Sequence, residues 1–471
     1  MTLHTPALWS LGDLAAAAKG SLDGEADAPV RGVSIDTRSL AKDDLFVALK
    51  DARDGHEFVP AAFKAGAAAT LVDQDYVWQE GDGALIRVDD PLKGLEGIAR
   101  DARERTTAEA VIAVTGSVGK TGTKEMLRAC LGRIGATHAP EKSFNNHWGV
   151  PLTLARMPAA TRFGVFEIGM NQAGEITPLT YMVRPHAAII TSVEAVHIEH
   201  FPDGLEGIAD AKAEIFLGLE AGGVAVIPAD NAFAERLSAK ALEASARVVT
   251  FGRADGADVR LVDAVIGAAG SDLTVDCLGR RVTYRMASPG AHYASNSLAV
   301  VAALASLGLD LEPAFAAFAA MQPPAGRGAR TVLTVPGGTA LLIDESYNAN
   351  PASVTAALAA MATVPREDYP RRIAVFGDML ELGPEGPAMH TGLSVAIATH
   401  GVDLVFAAGP LMKQLHDRLP KHVQGGAEAT SRKLEADVLG AVKSGDVIMV
   451  KGSLGSRMGP IVDALKRKFA T

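Results

Sequence analysis

Four apolar residues, Val111-Ile-Ala-Val114, run without interruption into Thr115-Gly-Ser-Val-Gly-Lys-Thr121, and beyond that turn Met126, Leu127, Cys130, Leu131 and Ile134 recur at helical spacing. The pattern predicts a buried strand, a glycine-spaced turn and an amphipathic helix. The theme of an apolar run ending in polar residues then repeats. Phe163-Gly-Val-Phe166 ends at Glu167, Ala187 to Ile190 at Thr191-Ser-Val-Glu194, and Val224 to Ile227 at Pro-Ala-Asp-Asn231. Near-continuous apolar strands alternating with helices predict a parallel sheet covered on both faces. Ligands gather at the carboxyl ends of such strands, so Glu167 and the residues just after Thr191 are expected beside the glycine turn.

Residues 1–105 mix short strands with alanine-rich helices, and Val33-Ser-Ile-Asp-Thr-Arg38 stands out among them. Its polar positions Ser34, Thr37 and Arg38 suit either a diphosphate grip or a solvated strand end. Residues 255–288 read as short antiparallel strands with a structural role. Pro289-Gly-Ala-His-Tyr-Ala-Ser-Asn296 then opens a long apolar helix, on which Asn296 either reads a base or caps. Gln322-Pro-Pro-Ala-Gly-Arg-Gly328 is a hinge by its Pro and Gly content. Beyond it the theme returns in Leu341–Ile343, Ile373–Phe376, Leu404–Ala408 and Val447–Val450, whose polar ends would face the central site if the hinge closes. The expected division is therefore an N-terminal domain over 1–105, a central domain over 106–322 and a C-terminal domain over 323–471.

Composition narrows the class. The 471 residues are 48% hydrophobic and only 5% aromatic, as suits an α/β enzyme. A net charge of −10 argues against nucleic acid as the main partner. Cys130 and Cys277 give no disulfide framework and read as core thiols. No signal peptide and no apolar run long enough to span a bilayer are evident, so a cytoplasmic protein without membrane insertion, acting as a monomer, is expected.

The glycine turn aims backbone N–H groups and a helix N-terminus at one point, where an anion is favoured. Lys120 adds a point charge for terminal phosphates, and the Thr121 hydroxyl suits a Mg2+ bridging them. Only Ser117 and Val118 separate Gly116 from Gly119, which makes this a shorter variant of the usual phosphate loop. Glu167 is either neutralised by a neighbouring lysine or offers a hard oxygen to Mg2+ opposite Thr121. Lys212 falls within the apolar stripe of the segment 203–219, where an ammonium must snorkel out, pair with an acid or be chemically changed. As a carbamate it would bind a second Mg2+, with His197 just upstream.

In their order along the chain, Thr-Gly-Ser-Val-Gly-Lys-Thr121, Asn145-Asn-His-Trp-Gly-Val-Pro151, Glu167-Ile-Gly169, His197 and Ala-Lys212-Ala-Glu-Ile-Phe resemble the Mur ligases, ATP-dependent amide-forming enzymes of peptidoglycan precursor synthesis. Asp344-Glu-Ser-Tyr-Asn-Ala-Asn-Pro351 with Gly377-Asp-Met-Leu-Glu-Leu-Gly383 is similar to the branch that adds D-alanyl-D-alanine. The Asp-Asn-Pro-Arg motif of the diaminopimelate-adding branch is not present. The resemblance implies three α/β domains: an N-terminal UDP-substrate domain, a central P-loop parallel-sheet ATPase domain and a C-terminal Rossmann-like domain. It implies ATP binding by Thr115, Gly116, Ser117, Val118, Gly119, Lys120 and Thr121, with Asn296, Arg327, Asp344 and Asn348 contacting the nucleotide. Thr121 and Glu167 would hold one Mg2+, and His197 and a carbamylated Lys212 the other. Lys120, Lys212 and His197 would be catalytic, and Ser34, Thr37 and Arg38 would bind the UDP. Two departures touch fine geometry: Gly122-Thr123 replaces a longer hydroxyl run, and Tyr293 follows His292 where asparagine is common.

The reaction so implied joins D-alanyl-D-alanine to UDP-N-acetylmuramoyl-tripeptide through an acyl phosphate, in a pathway that sustains cell shape and division. Its partners are small molecules. A folylpolyglutamate-type ligase would use the same loop on another substrate, and a P-loop switch would hydrolyse ATP without an amine acceptor. A nicotinamide oxidoreductase fits poorly, because the turn lacks the dinucleotide spacing.

Overall fold

The computed structural model describes residues 7–141, 143–196, 198–267 and 270–470. The strand Ala110–Thr115 lies inside a nine-stranded sheet, parallel to Phe163–Glu167 on one side and to Ala187–Ile190 on the other. The register sets Glu167 opposite Val114 and Ile190 opposite Thr115, so three strands end level with the glycine turn. Val224–Pro228, Arg247–Gly252 and Val259–Gly267 extend the sheet in parallel, and Gly270–Cys277 and Arg280–Met286 close its edge as an antiparallel meander.

Both faces of this sheet are covered, as its unbroken apolar strands require. One face packs against the helices Lys120–Leu131 and Ala291–Ser306, through Met126, Leu127, Leu131 and Leu298. The other meets Gly149–Ala155, Ile176–Val183, Gly204–Ala213 and Ala234–Glu243. Met126, Leu127 and Leu131 are buried, and each contributes about 1.5–3 kcal/mol to seating the helix that carries the turn.

Two further sheets flank the central one. The first holds five strands, with Gly32–Ser34, Asp44–Val47, Ala69–Asp73 and Ala84–Val88 parallel and Ser21–Asp23 antiparallel at the edge. Its helix Pro91–Glu104 packs on Gly149–Ala155, and the Trp9 indole donates to the Ala155 carbonyl at 2.9 Å. The last sheet has six strands, in which Gly338–Glu345, Asp446–Lys451, Arg371–Gly377, Leu404–Ala408 and Gln424–Glu428 are parallel and Ala329–Val335 forms an antiparallel edge hairpin. This register sets Glu345 opposite Lys451 at the carboxyl ends of their strands. Three α/β units therefore follow one another, and no helix among the described residues is long and apolar enough to cross a membrane.

The segment around Lys212 departs from its sequence pattern. A cap by Asp203 and Glu206 is expected there, yet Asp203 makes no side-chain cap bond and Glu206 pairs with Arg236 at 3.2 Å. Leu205 is exposed rather than buried. The α-helix stops at Ala213 and continues as a 3-10 turn over Glu214–Gly218, so the buried Ile215 and Phe216 do not keep the α-helical phase of the residues before them.

Candidate functional site

The turn between Thr115 and Lys120 is shaped by two glycines. Gly119 sits at φ +92° as the N-cap of Lys120–Leu131, and a Cβ there would lie 2.6 Å from Asn296 Oδ1. Gly116, at φ +147°, runs so close to Thr191 that a side chain would overlap its hydroxyl. Ser192 holds the turn from outside, its carbonyl accepting from Ser117 N and its hydroxyl from Val118 N, both at 2.9 Å. Ser117 Oγ in turn accepts from Glu194 N at 2.9 Å. The first N–H groups of the helix have no partners within it and converge on the cradle.

Lys120 folds back across the loop, with Nζ donating to the carbonyls of Gly116 and Ser117. Burial lowers its pKa, the Glu167 carboxylate opposes that shift and the nearby Arg327 adds to it. An anion entering the cradle would replace these carbonyls as the ammonium's partner. Thr115 and Gly116 stand behind the cradle rather than in its wall, with the Thr115 hydroxyl buried and unpartnered among the described residues.

Opposite Lys120, oxygen donors gather around Thr121. Its hydroxyl donates to Glu167 Oε2 at 2.9 Å and lies 3.2 Å from Ser143 Oγ. Asn145 Nδ2 donates to the other Glu167 oxygen at 2.8 Å. A buried carboxylate flanked by two hydroxyls and an amide is a hard-oxygen set of the kind that Mg2+ takes alongside phosphate and water. Among the described residues no three His, Cys, Asp or Glu side chains cluster as a metal site. Ser143 and Asn145 join this set without having been singled out as ligands by sequence.

Lys212 lies in the last turn of Gly204–Ala213 and is only 4% exposed, so it does not snorkel to solvent. It makes no ion pair with any described residue. Its pKa is driven well below the ordinary lysine value, first by burial and then by the charge of Lys120. His197, expected as its companion, lies outside the described residues.

The last sheet supplies the facing wall. The Arg327 guanidinium stacks on Tyr347, with 4.1 Å from its carbon to the ring centre, and the Arg327 carbonyl accepts from the Tyr293 hydroxyl. Asp344 is buried below them. Its Oδ2 accepts from Gly326 N at 2.9 Å, its Oδ1 from Ser346 Oγ at 2.6 Å, and its carbonyl from Gly328 N at 2.7 Å. It thus fixes the hinge and does not line the cleft. Lys451 Nζ lies 3.3 Å from Glu345 and donates to the Asn348 carbonyl at 3.0 Å, which holds Asn348 at the rim. Between the walls is a cleft of about 420 Å³, lined by Lys120, Thr121, Glu167, Asn296, Arg327 and Asn348 among others. His292, Tyr293 and Lys451 also line it, and sequence reasoning gave them no individual role.

Ser34, Thr37 and Arg38 are not brought to this cleft. They form a separate turn after Gly32–Ser34, in which the buried Ser34 hydroxyl bonds the Asp36 carbonyl at 3.0 Å. Arg38 reaches Asp36 through Nε at 2.9 Å and Nη2 at 2.6 Å, and its side chain is 88% exposed. That carboxylate raises the arginine's pKa.

The family described as Mur ligase middle domain matches residues 114–304, and the one described as Mur ligase, glutamate ligase domain matches residues 330–454. The UDP-N-acetylmuramoyl-tripeptide--D-alanyl-D-alanine ligase of Bacillus subtilis is 35% identical over 443 residues, 93% of this chain and 93% of its own length. The Escherichia coli protein of the same name is 35% identical over 451 residues, covering 95% of this chain and 96% of its own length. A crystal structure of MurF from Acinetobacter baumannii superposes with a TM-score of 0.85 at 26% identity, over 98% of this chain and 100% of that one.

Proposed function

The chain belongs to the Mur ligase family, and from that premise we propose that it joins D-alanyl-D-alanine to UDP-N-acetylmuramoyl-tripeptide with consumption of ATP, in peptidoglycan precursor synthesis. The observation that carries this reading is the cleft itself. An anion cradle with Lys120 and a Thr121–Glu167 oxygen pair face Arg327 and Lys451 across one cavity. A nucleotide triphosphate, a carboxylate and an amine have room and complementary charge there.

In this reading Lys120 and the N–H groups of the cradle hold the β- and γ-phosphates, while Asn296, Arg327 and Asn348 contact the rest of the nucleotide. Asp344 acts through the hinge. Thr121 and Glu167 hold one Mg2+, which when bound neutralises charge on the phosphate oxygens. The terminal carboxylate of the tripeptide attacks the γ-phosphorus, the bond to the bridging oxygen of ADP breaks, and an acyl phosphate forms. The amine of D-alanyl-D-alanine then attacks the acyl carbon, loses a proton and expels phosphate. Closure of the last sheet over the cradle keeps water from the acyl phosphate.

Lys212 is suited to modification because it is buried and its amine gives up its proton more readily than an ordinary lysine. Attack of that amine on CO2 forms an N–C bond, releases a proton and leaves a carbamate, which with His197 would hold a second Mg2+. Residues 1–105, with Ser34, Thr37 and Arg38, are read as the UDP-substrate domain, 106–322 as the ATP-binding domain and 323–471 as the ligase domain. For Arg38 to grip a diphosphate it must exchange Asp36 for the ligand. A monomer is the assembly proposed, and two free buried cysteines suit a cytoplasmic enzyme. Phosphate release measured with D-alanyl-D-alanine and UDP-N-acetylmuramoyl-tripeptide, against glutamate with a folate acceptor, tests the substrate assignment. Turnover with the first pair alone is expected, and turnover only with the second would overturn it.

A further inference from the structure

A hydrogen bond links the central sheet's cover to the hinge across the cleft. Tyr293, in the first turn of Ala291–Ser306, is buried, and its hydroxyl donates to the carbonyl of Arg327. Among the described residues, the hinge backbone around that carbonyl is tied to its own C-terminal unit. Gly326 N and Gly328 N both bond Asp344, and Tyr347 N donates to the Gly326 carbonyl at 3.1 Å. Gly328, at φ +94°, has no side chain, and a Cβ there would lie 2.8 Å from the Tyr293 oxygen, so the glycine lets the phenol approach. The His292 ring lies 4.2 Å from that of Tyr293 and backs it from the cleft side.

One peptide therefore carries two functions. Its carbonyl is held by Tyr293 and its side chain stacks on Tyr347 inside the cleft. We propose that Tyr293 is a positioning residue for the nucleotide: by clasping the Arg327 carbonyl it fixes the Arg327 guanidinium in the cleft. The inference rests on the reading of Arg327 as a nucleotide contact.

The test is a double-mutant cycle on the full chain with Tyr293→Phe, Arg327→Ala and the pair together, each checked by thermal melting. Binding of a non-hydrolysable ATP analogue with Mg2+ is measured by calorimetry, and KM and kcat by ligation. Tyr293→Phe removes one oxygen and is expected to weaken nucleotide binding roughly fivefold to tenfold, the scale of one lost hydrogen bond. The KM for ATP should rise likewise, with kcat and the KM for D-alanyl-D-alanine within about twofold of the parent. In the Arg327→Ala background the same change should cost nothing further. Unchanged binding in Tyr293→Phe, or losses that multiply in the double variant, would overturn the clasp. A parent protein that binds the analogue but does not ligate would remove the ligase reading and leave the binding cycle intact as a test. A parent that binds no ATP analogue would overturn both.

Discussion

Thr121 and Glu167 meet through a 2.9 Å hydrogen bond, although one opens a helix and the other ends a strand on the far side of the glycine turn. The parallel register that sets Glu167 opposite Val114 makes this meeting unavoidable. Glu167→Gln keeps the shape and removes the charge. It should raise the Mg2+ concentration needed for half-maximal ligation and lower kcat by roughly a hundredfold, given the several kcal/mol a metal supplies to phosphoryl transfer. A Mg2+ titration curve superimposable on the parent's would exclude Glu167 as a ligand.

Gly119→Ala should abolish nucleotide binding without unfolding the chain. The backbone at φ +92° disfavours a side chain by about 1–2 kcal/mol, and the added methyl would also press on Asn296. Gly174→Ala is the control, since Gly174 stands at φ +87° with no atom within 4 Å of the added carbon. Both variants should melt slightly earlier, and only the first should lose affinity for ATP in calorimetry. Equal affinities would show that the cradle does not bind the phosphates.

Lys212 makes a signed prediction about pH. Its amine in the folded chain loses its proton well below the ordinary value of 10.5, whereas the unfolded chain keeps it up to that pH. Unfolding therefore takes up a proton throughout that window, and stability contributed at this site rises with pH until 10.5 is reached. In buffer free of CO2, Lys212→Met should be more stable than the parent at neutral pH, and the gap should close as the pH climbs. A gap that is constant or widens with pH in denaturant titrations would contradict the burial of a costly amine.

The same residue links stability to catalysis. With bicarbonate present, the intact mass of the parent should include one CO2 at Lys212. Lys212→Ala should lose ligation and regain part of it with added short carboxylates. Full activity of the unsupplemented variant would refute a metal-binding role.

The parts of the site legible in the sequence are those carried by local pattern. The run Val111–Val114 into Thr115–Thr121 specifies strand, turn and helix within a dozen residues, and Glu167 is visible because an apolar strand ends on it. The Lys451–Glu345 pair could not be read, because it depends on strands 106 residues apart pairing in register. Ser143 and Tyr293 were hidden for a related reason: each acts through a partner that only the packing of separate elements brings close. The burial of Lys212 followed from helical phase, whereas the exposure of Leu205 did not, since Leu205 lies in the helix's first turn, where helical phase alone does not decide what packs against it. Asp344 sits where a nucleotide contact was expected and instead spends its oxygens on Gly326, Ser346 and Gly328.

The most direct test is isotopic. UDP-N-acetylmuramoyl-tripeptide bearing heavy oxygen in its terminal carboxylate is incubated with ATP, Mg2+, D-alanyl-D-alanine and the protein, and the released phosphate is examined by mass spectrometry. One labelled oxygen transferred to phosphate for each amide formed is the predicted result. Unlabelled phosphate, or phosphate released at the same rate without the dipeptide, would contradict ligation through an acyl phosphate in this cleft.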